Sequence, residues 1–441
     1  MKQSKVGENI VEVWLREFIQ RLPLGFGKDV DTPFVNEGYI SFAQRQGDGG
    51  TGTGSWRELA EEARKSTLSV KQEASTSRKK REREAEQGYL PLRQWLVKAY
   101  AEAEGAEEEN APDHFILVDD AGEALHLLLR SLVKPGEVVL VETPASPEAL
   151  AEISSYGAIA VQVACDHDGM LPVDVQKQMN GHKPVFVYVT PHYSNPSGTV
   201  WSLERKLALL EICEANGVFI VEDDTAGAVP FQSLQEVNEE RGKNQVSISF
   251  YRICQMQEKH EGKLRVGVLS IGAFEGTLFP NLPLAWIRGE PKEIHSLLDV
   301  RLAGPVSLRK IEREQTLHTL LEMPSFNWRD HAVHVEVEYA ARRKLMLELL
   351  SEPAWKGTEV IDPGGGLFLW LRLPAGLSSE ALLRASLLQG VAFVPGVRCY
   401  ASEPDTARLR LTFAAQPEAQ LRQGMAVIAG AITEFTARAA E

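Results

Sequence analysis

At 441 residues the chain exceeds the roughly 250–300 at which a single core stops growing, so two domains are expected. Apolar residues make up 44% of it and the formal charge at pH 7 is −14, which excludes a chain-wide attraction to nucleic acid or anionic lipid. The N-terminal MKQSKVGENIVEVWLREF has no apolar core and nowhere do 18 apolar residues run together, so a cytoplasmic protein without a membrane span is expected.

Four scattered cysteines, Cys165, Cys213, Cys254 and Cys399, fit reduced thiols rather than disulfides or a zinc site. In chain order, residues 1–36 read as an N-terminal arm with a short helix over Ile10 to Gln20. Residues 44–55 hold five glycines and read as a loop. The charged stretch WRELAEEARKSTLSVKQEASTSRKKREREAEQ reads as a solvated helix followed by a loose connection. Acidic residues follow its basic cluster at once, which disfavours a nucleic-acid patch.

From about residue 113 short apolar runs alternate with amphipathic stretches. FILVDD leads into AGEALHLLLRSLVKPGE, VVLVETP into SPEALAEISSYG, and AIAVQVACD and PVFVYVTP precede SLERKLALLEICEANG and VFIVEDD. Such alternation predicts an α/β fold with a mostly parallel central sheet covered on both faces. Ligands in such sheets sit beyond the carboxyl ends of the strands. That directs attention to Asp119 and Asp120, Pro144 to Ser146, Pro191 to Gly198, Glu222 to Thr225, and Glu275 with Gly276. The divisions expected are the arm over 1–36, the first part of a small domain with a linker over 37–110, a large domain over 111–315 and a C-terminal small domain over 316–441.

The segment TPHYSNPSGTVWSLERKLALLEICEANGVFIVEDD, with GYLPLR, DHDGM, GGGLFLWLRLP, GVAFVPG and LRLTFA in order around it, resembles the class I/II aminotransferases of pyridoxal-phosphate (PLP) fold type I. It is similar above all to the aminotransferase-like half of MocR-type regulators, and the resemblance covers roughly residues 37–440. It implies a homodimer, a small α+β domain beside the large one, and an amino-acid or keto-acid ligand. In that family the loop reads I-G-T-F-S-K-T-L-F-P-G-L-R-L-G-Y, its lysine forming the Schiff base with PLP. Laid without a gap on IGAFEGTLFPNLPLAW, the lysine position is Gly276, the phosphate-binding serine is Glu275 and the arginine is Pro283.

Glycine supplies no amine, so covalent PLP is not expected, and PLP enters by resemblance only. Asp120 stands near a glycine of the family's phosphate loop and can cap the following helix itself. Ser146 stands where an aromatic stacks on the cofactor, Gly227 and about Arg83 where tyrosines belong. Three positions keep the family's residue. Asn195 corresponds to the asparagine on the phenolic oxygen, Asp224 to the acid on the pyridine nitrogen, and Arg410 to the arginine that grips a substrate carboxylate. Each has a plainer role: Asn195 as a turn residue, which the reading favours, Asp224 as a cap, and Arg410 as the partner of a nearby acid, which stays open. His192 and Tyr193 read as turn packing. Lys263 lies before its strand, out of reach of a site placed after it. The 51 residues between Asp224 and Gly276 form an insertion that could cover one side of the old site.

Three functions follow: a catalytically degenerate dimeric scaffold or small-molecule sensor, an active PLP-dependent aminotransferase, or a MocR-type regulator lacking its winged helix. With about 36 residues before the resemblance, direct DNA binding by this chain is not expected.

Overall fold

In the computed structural model, residues 39–44, 47–48, 54–69, 86–104, 111–226, 248–261, 266–274, 279, 284–302 and 308–440 are described. The predicted arm, Arg83, Gly227, Lys263, Glu275, Gly276 and Pro283 lie outside them.

An eight-stranded sheet holds the apolar runs read from the sequence: β1 (Phe115–Val118), β2 (Val138–Thr143), β3 (Ile159–Asp166), β4 (Gly169–Met170), β5 (Phe186–Val189), β6 (Phe219–Asp223), β7 (Val268–Ala273) and β8 (Ala285–Arg288). Their order is β1-β8-β7-β6-β5-β2-β3-β4. The pairs β3/β2, β2/β5, β5/β6 and β6/β7 are parallel, while β8 runs antiparallel to both its neighbours and β4 turns back on β3. Strands β1, β5, β7 and β8 are buried at every residue, which is why they read as unbroken apolar runs rather than alternations.

Helices Ala121–Leu132 (α1), Pro147–Tyr156 (α2) and Leu203–Asn216 (α3) follow β1, β2 and β5 and bury their apolar stripes on the sheet. Val141, Tyr188, Val221 and Ile271 point to the face that packs α1; Leu140, Val187, Ile220 and Val268 point to the face that packs α3. The charged stretch after the Gly-rich segment is helical from Gly54 to Ser69, starting within the predicted loop.

A second, antiparallel sheet is built from Glu359–Val360, Phe368–Arg372 (β9), Val394–Pro395 and Arg408–Thr412 (β10). The long helices Trp328–Leu350 and Glu418–Ala440 pack against each other beside it. Strands Ile40–Ser41 and Val391–Ala392 pair in parallel, tying residues near the start of the described chain to its C-terminal third.

The two sheets meet at a turn. Gly366, at φ +71°, passes so close to Tyr193 that an added Cβ would lie 2.7 Å from the tyrosine Cβ. Gly198, at φ +72°, would meet Pro363 at 2.4 Å. Both positions need a residue without a side chain for steric and backbone reasons. The triple glycine of PGGGLF is therefore a docking surface for the HYSNPSG turn.

Away from this junction, Glu314 of helix Leu308–Glu322 accepts the Tyr89 N–H at 2.7 Å on one oxygen, while its other oxygen has no partner among the described residues. Burial pushes its carboxyl up to about 7, against the Tyr89 amide and the nearby Arg301 and Arg93 charges and with that of Asp119. The folded state thus holds this proton more tightly than an unfolded chain, whose glutamates titrate near about 4.3. The stability gained is complete below that value and is lost as pH rises through 7. Glu314→Gln keeps the acceptor for Tyr89 and puts the NH2 at the orphan position. Its melting temperature should equal wild type at pH 4 and exceed it at pH 8, by an amount equivalent to about 1–3 kcal/mol. Parallel pH curves for the two proteins would contradict this.

Candidate functional site

The carboxyl ends of β1, β2, β5 and β6 carry the residues that the sequence singled out. Beyond β1, Asp120 is the N-cap of α1: its Oδ1 accepts the Glu123 N–H at 2.8 Å. Glu123 returns the bond, its Oε2 accepting the Asp119 N–H at 2.5 Å, and its other oxygen takes an Arg301 N–H at 3.1 Å. These bonds satisfy the Glu123 amide in the first turn of α1, one of those at a helix start that would otherwise be open to an anion, and the Asp119 amide just before the cap.

Beyond β2, Ser146 caps α2, its Oγ accepting the Ala149 N–H at 3.2 Å and donating to Glu148 Oε2 at 2.9 Å. Glu148 reaches from α2 to β10 of the second sheet. Arg410 donates to its two oxygens at 3.0 and 3.3 Å, to Asn195 Oδ1 at 2.6 Å and to the Ala43 carbonyl at 3.2 Å. The guanidinium also lies 4.3 Å over the Phe368 ring. Arg410 is 0% exposed and Glu148 3%, so this is a desolvated bidentate ion pair, the strongest geometry for such a contact. Asn195 gives its NH2 to the same Glu148 oxygen at 3.2 Å. Of the sequence's candidates, then, Asn195 and Arg410 are joined, and a carboxylate of the chain itself holds them together.

Asp224 is buried and has partners of its own. Its Oδ1 meets His192 Nδ1, while His192 Nε2 is 3.0 Å from Lys206 Nζ. An ammonium can only donate, so Nε2 is the acceptor and the ring proton sits on Nδ1, pointing at Asp224. Burial and the adjacent Lys206 push the imidazole down to about 3, leaving it neutral. Burial also lifts Asp224 well above the usual carboxylate range, against the Lys206 charge, and brings Lys206 down to about 8. Lys206 Nζ donates to the Ile248 carbonyl as well, at 2.8 Å.

Next to it, Glu222 accepts the Phe250 N–H at 2.8 Å from a helix within the insertion, Phe250–Glu261. Burial raises this acid to about 7. The described part of the insertion therefore packs on the sheet under the site, through Glu222. The turn after β6 is bonded by Asp223, whose Oδ1 accepts the Thr225 N–H at 3.1 Å, rather than by Asp224.

Lys206 was missed in the sequence, where Lys263 was the alternative considered. The signal was present: Lys206, Leu209, Leu210 and Cys213 are all buried and stand at i, i+3, i+4 and i+7 on α3, so a lysine occupies a core stripe.

The ends of the loop that holds Gly276 are fixed by aromatic packing. Phe274 lies 4.9 Å from Trp286 and 5.9 Å from Trp95, and Phe279 stacks on His331 at 5.4 Å. The Phe274 N–H bonds the Leu284 carbonyl at 3.1 Å, closing the hairpin.

Between these groups is a cavity of about 40 Å³, lined among others by Ser146, His192, Tyr193, Asn195, Asp223 and Phe368. That is room for about three waters.

Comparison with known proteins gives a single picture. The family described as aminotransferase class I and II matches residues 48–248 and 332–428. Aromatic-amino-acid aminotransferase 1 of Thermococcus litoralis is 26% identical over 79% of this chain and 78% of its own. The HTH-type transcriptional regulator YdfD of Bacillus subtilis is 24% identical over 80% of this chain and 68% of its own. Among solved structures, the α-aminoadipate aminotransferase LysN of Thermus thermophilus superposes with a TM-score of 0.75 at 23% identity, covering 93% of this chain and 96% of that one. Its fold, PLP fold type I with a large mostly parallel sheet, is the fold described above. The matched residues span more than half of the sequence: the chain belongs to the class I and II aminotransferase family.

Proposed function

We propose that this chain is a catalytically degenerate member of its family, acting as a dimeric scaffold or small-molecule-sensing module rather than as an aminotransferase. The observation that carries the reading is that both anion seats of the cleft are filled by the chain's own carboxylates. Asp120 and Glu123 occupy the start of α1, and Glu148 occupies Arg410.

The residues present do not fit PLP. A phosphate dianion placed at the start of α1 would compete with the Asp120 carboxylate for the Glu123 amide and be repelled by that carboxylate, while the charge of Glu123 is shared with Arg301. Ser146 has no ring to stack on a pyridine, and its hydroxyl is already committed to Glu148 and the Ala149 amide. Gly276, by the alignment of the sequence, leaves no amine in the loop.

Two further readings keep some support. The names of several relatives favour an active aminotransferase, and the buried Asp224 stands at the family's position. Other relatives are named as transcriptional regulators, which favours a ligand-sensing role. The reading is tested by incubating the purified protein with PLP, removing the excess and recording the absorbance. No band toward the visible edge is expected; a stable one would sink the proposal.

The family resemblance also supports a homodimer, since closed two-fold assemblies are the commonest and large apolar interfaces outlast chemistry. Light scattering at micromolar concentration should give about twice the 48.8 kDa of the chain. A clean monomer would contradict the scaffold's dimeric form. None of the described helices is long and apolar enough to cross a membrane.

A further inference from the structure

The chain that follows the short strand Val394–Pro395 of the second sheet crosses the carboxyl ends of β2 and β3. The Cys399 carbonyl accepts the Ala145 N–H at 2.9 Å, and further on Ser402 gives its N–H and its hydroxyl to Gln162 Oε1, at 3.1 and 2.7 Å. In the pairing of β2 with β3, Val141 stands opposite Gln162 and Thr143 opposite Ala164, so the Thr143 and Gln162 side chains project from one face of the sheet. Gln162 lies three strands from β6, and neither it, Thr143 nor Arg398 is among the described residues that line the cavity at the HYSNPSG turn.

The buried polar atoms left without a partner along this seam can all donate: Gln162 Nε2, Thr143 Oγ1 and Arg410 Nε, each unmatched among the described residues. Arg398, in the 3-10 turn Gly396–Cys399, adds a half-buried guanidinium with no hydrogen bond or ion pair to a described residue. Burial pushes it down from its ordinary value, against Cys399 and Glu148, but a guanidinium keeps its proton. Glu148, the acid whose charge reaches it, is already the bidentate partner of Arg410. Two guanidiniums thus share one carboxylate, and one positive charge stays uncompensated in partly desolvated surroundings.

We propose that this seam binds a small monocarboxylate, with Arg398 as its counter-ion and the Gln162 amide as its second donor. The proposal rests on the small-molecule-sensing reading above and places the ligand outside the old cleft, where Glu148 already holds Arg410. A carboxylate only accepts hydrogen bonds, which matches a seam whose open groups donate, and its two oxygens fit the planar fork of an arginine. Its single charge equals the single charge in excess; a dianion would bring one more against Glu148. An ammonium ligand would find no open acceptor among these groups. Because Gln162 belongs to the large sheet and Arg398 to the chain of the second, a bound carboxylate ties the two together and stabilises the fold in proportion to its occupancy.

The test is thermal shift and calorimetric titration of the full chain at fixed ionic strength, sodium acetate replacing sodium chloride, with sodium sulfate as the dianion probe. Acetate should raise the melting temperature of wild type and saturate, and sulfate should bind more weakly. Arg398→Met should lose at least about tenfold in acetate affinity. In chloride its melting temperature should match or exceed that of wild type, since it removes a charge without a partner. Gln162→Glu keeps the acceptor for Ser402, replaces the open donor by an acid beside Arg398 and should abolish acetate binding, which covers the case that Arg398→Met folds poorly. A flat response of wild type would assign the open donors to water and overturn the proposal. Acetate affinity that survives both substitutions, or sulfate binding as tightly as acetate, would overturn it as well. None of these measurements involves PLP, so the absorbance test decides the degenerate reading separately.

Discussion

Glu148→Ala will destabilise the fold by about 3–5 kcal/mol, the range for removing one partner of a buried ion pair. Arg410 is 0% exposed and cannot shed its proton, so the variant keeps an uncompensated guanidinium in the core. Its remaining partners, the Asn195 side chain, the Ala43 carbonyl and the Phe368 ring, are neutral and hold only part of the charge. The pair also joins α2 of the large sheet to β10 of the small one, so its loss weakens the junction as well as the local network. Urea unfolding of Glu148→Ala, Arg410→Met and the double variant checks this. The double variant should cost clearly less than the two single losses added together, because the second substitution removes the stranded charge. A loss under about 1 kcal/mol for Glu148→Ala would show that the pair is not desolvated as described.

This pair also marks the limit of what the sequence made legible. Runs such as FILV and FVYV were readable because strands buried on both faces are continuously apolar. Asp120 as a cap was readable because the cap and its Glu123 partner are three residues apart, within one helical turn. Arg410 and Glu148 are separated by 262 positions, and their meeting depends on how the second sheet docks against the HYSNPSG turn. Sequence spacing carries no information on that docking, so Arg410 stayed open between an internal acid and an external one. His192 is a similar case: read as turn packing, it links Asp224 to a lysine 14 residues further on.

Gly276→Lys alone will not restore a PLP enzyme. In the family's loop a lysine supplies the amine, yet the phosphate must also find donors at the start of α1 and the ring a stacking partner. In this chain Asp120 bonds the Glu123 amide in the first turn of α1, Glu123 bonds the Asp119 amide before it, and position 146 is a serine committed to Glu148. Restoring the amine leaves those costs untouched, so affinity for PLP in the variant should remain weaker than about 1 mM, where binding contributes only about 4 kcal/mol.

The most direct measurement is intact mass after borohydride reduction of PLP-treated wild type and Gly276→Lys protein, followed by peptide mapping. The account predicts unmodified mass for wild type, and at most scattered, substoichiometric labelling of surface lysines in both. One pyridoxyl phosphate per chain on a single wild-type lysine, Lys206 or any other, would contradict it and restore the aminotransferase reading.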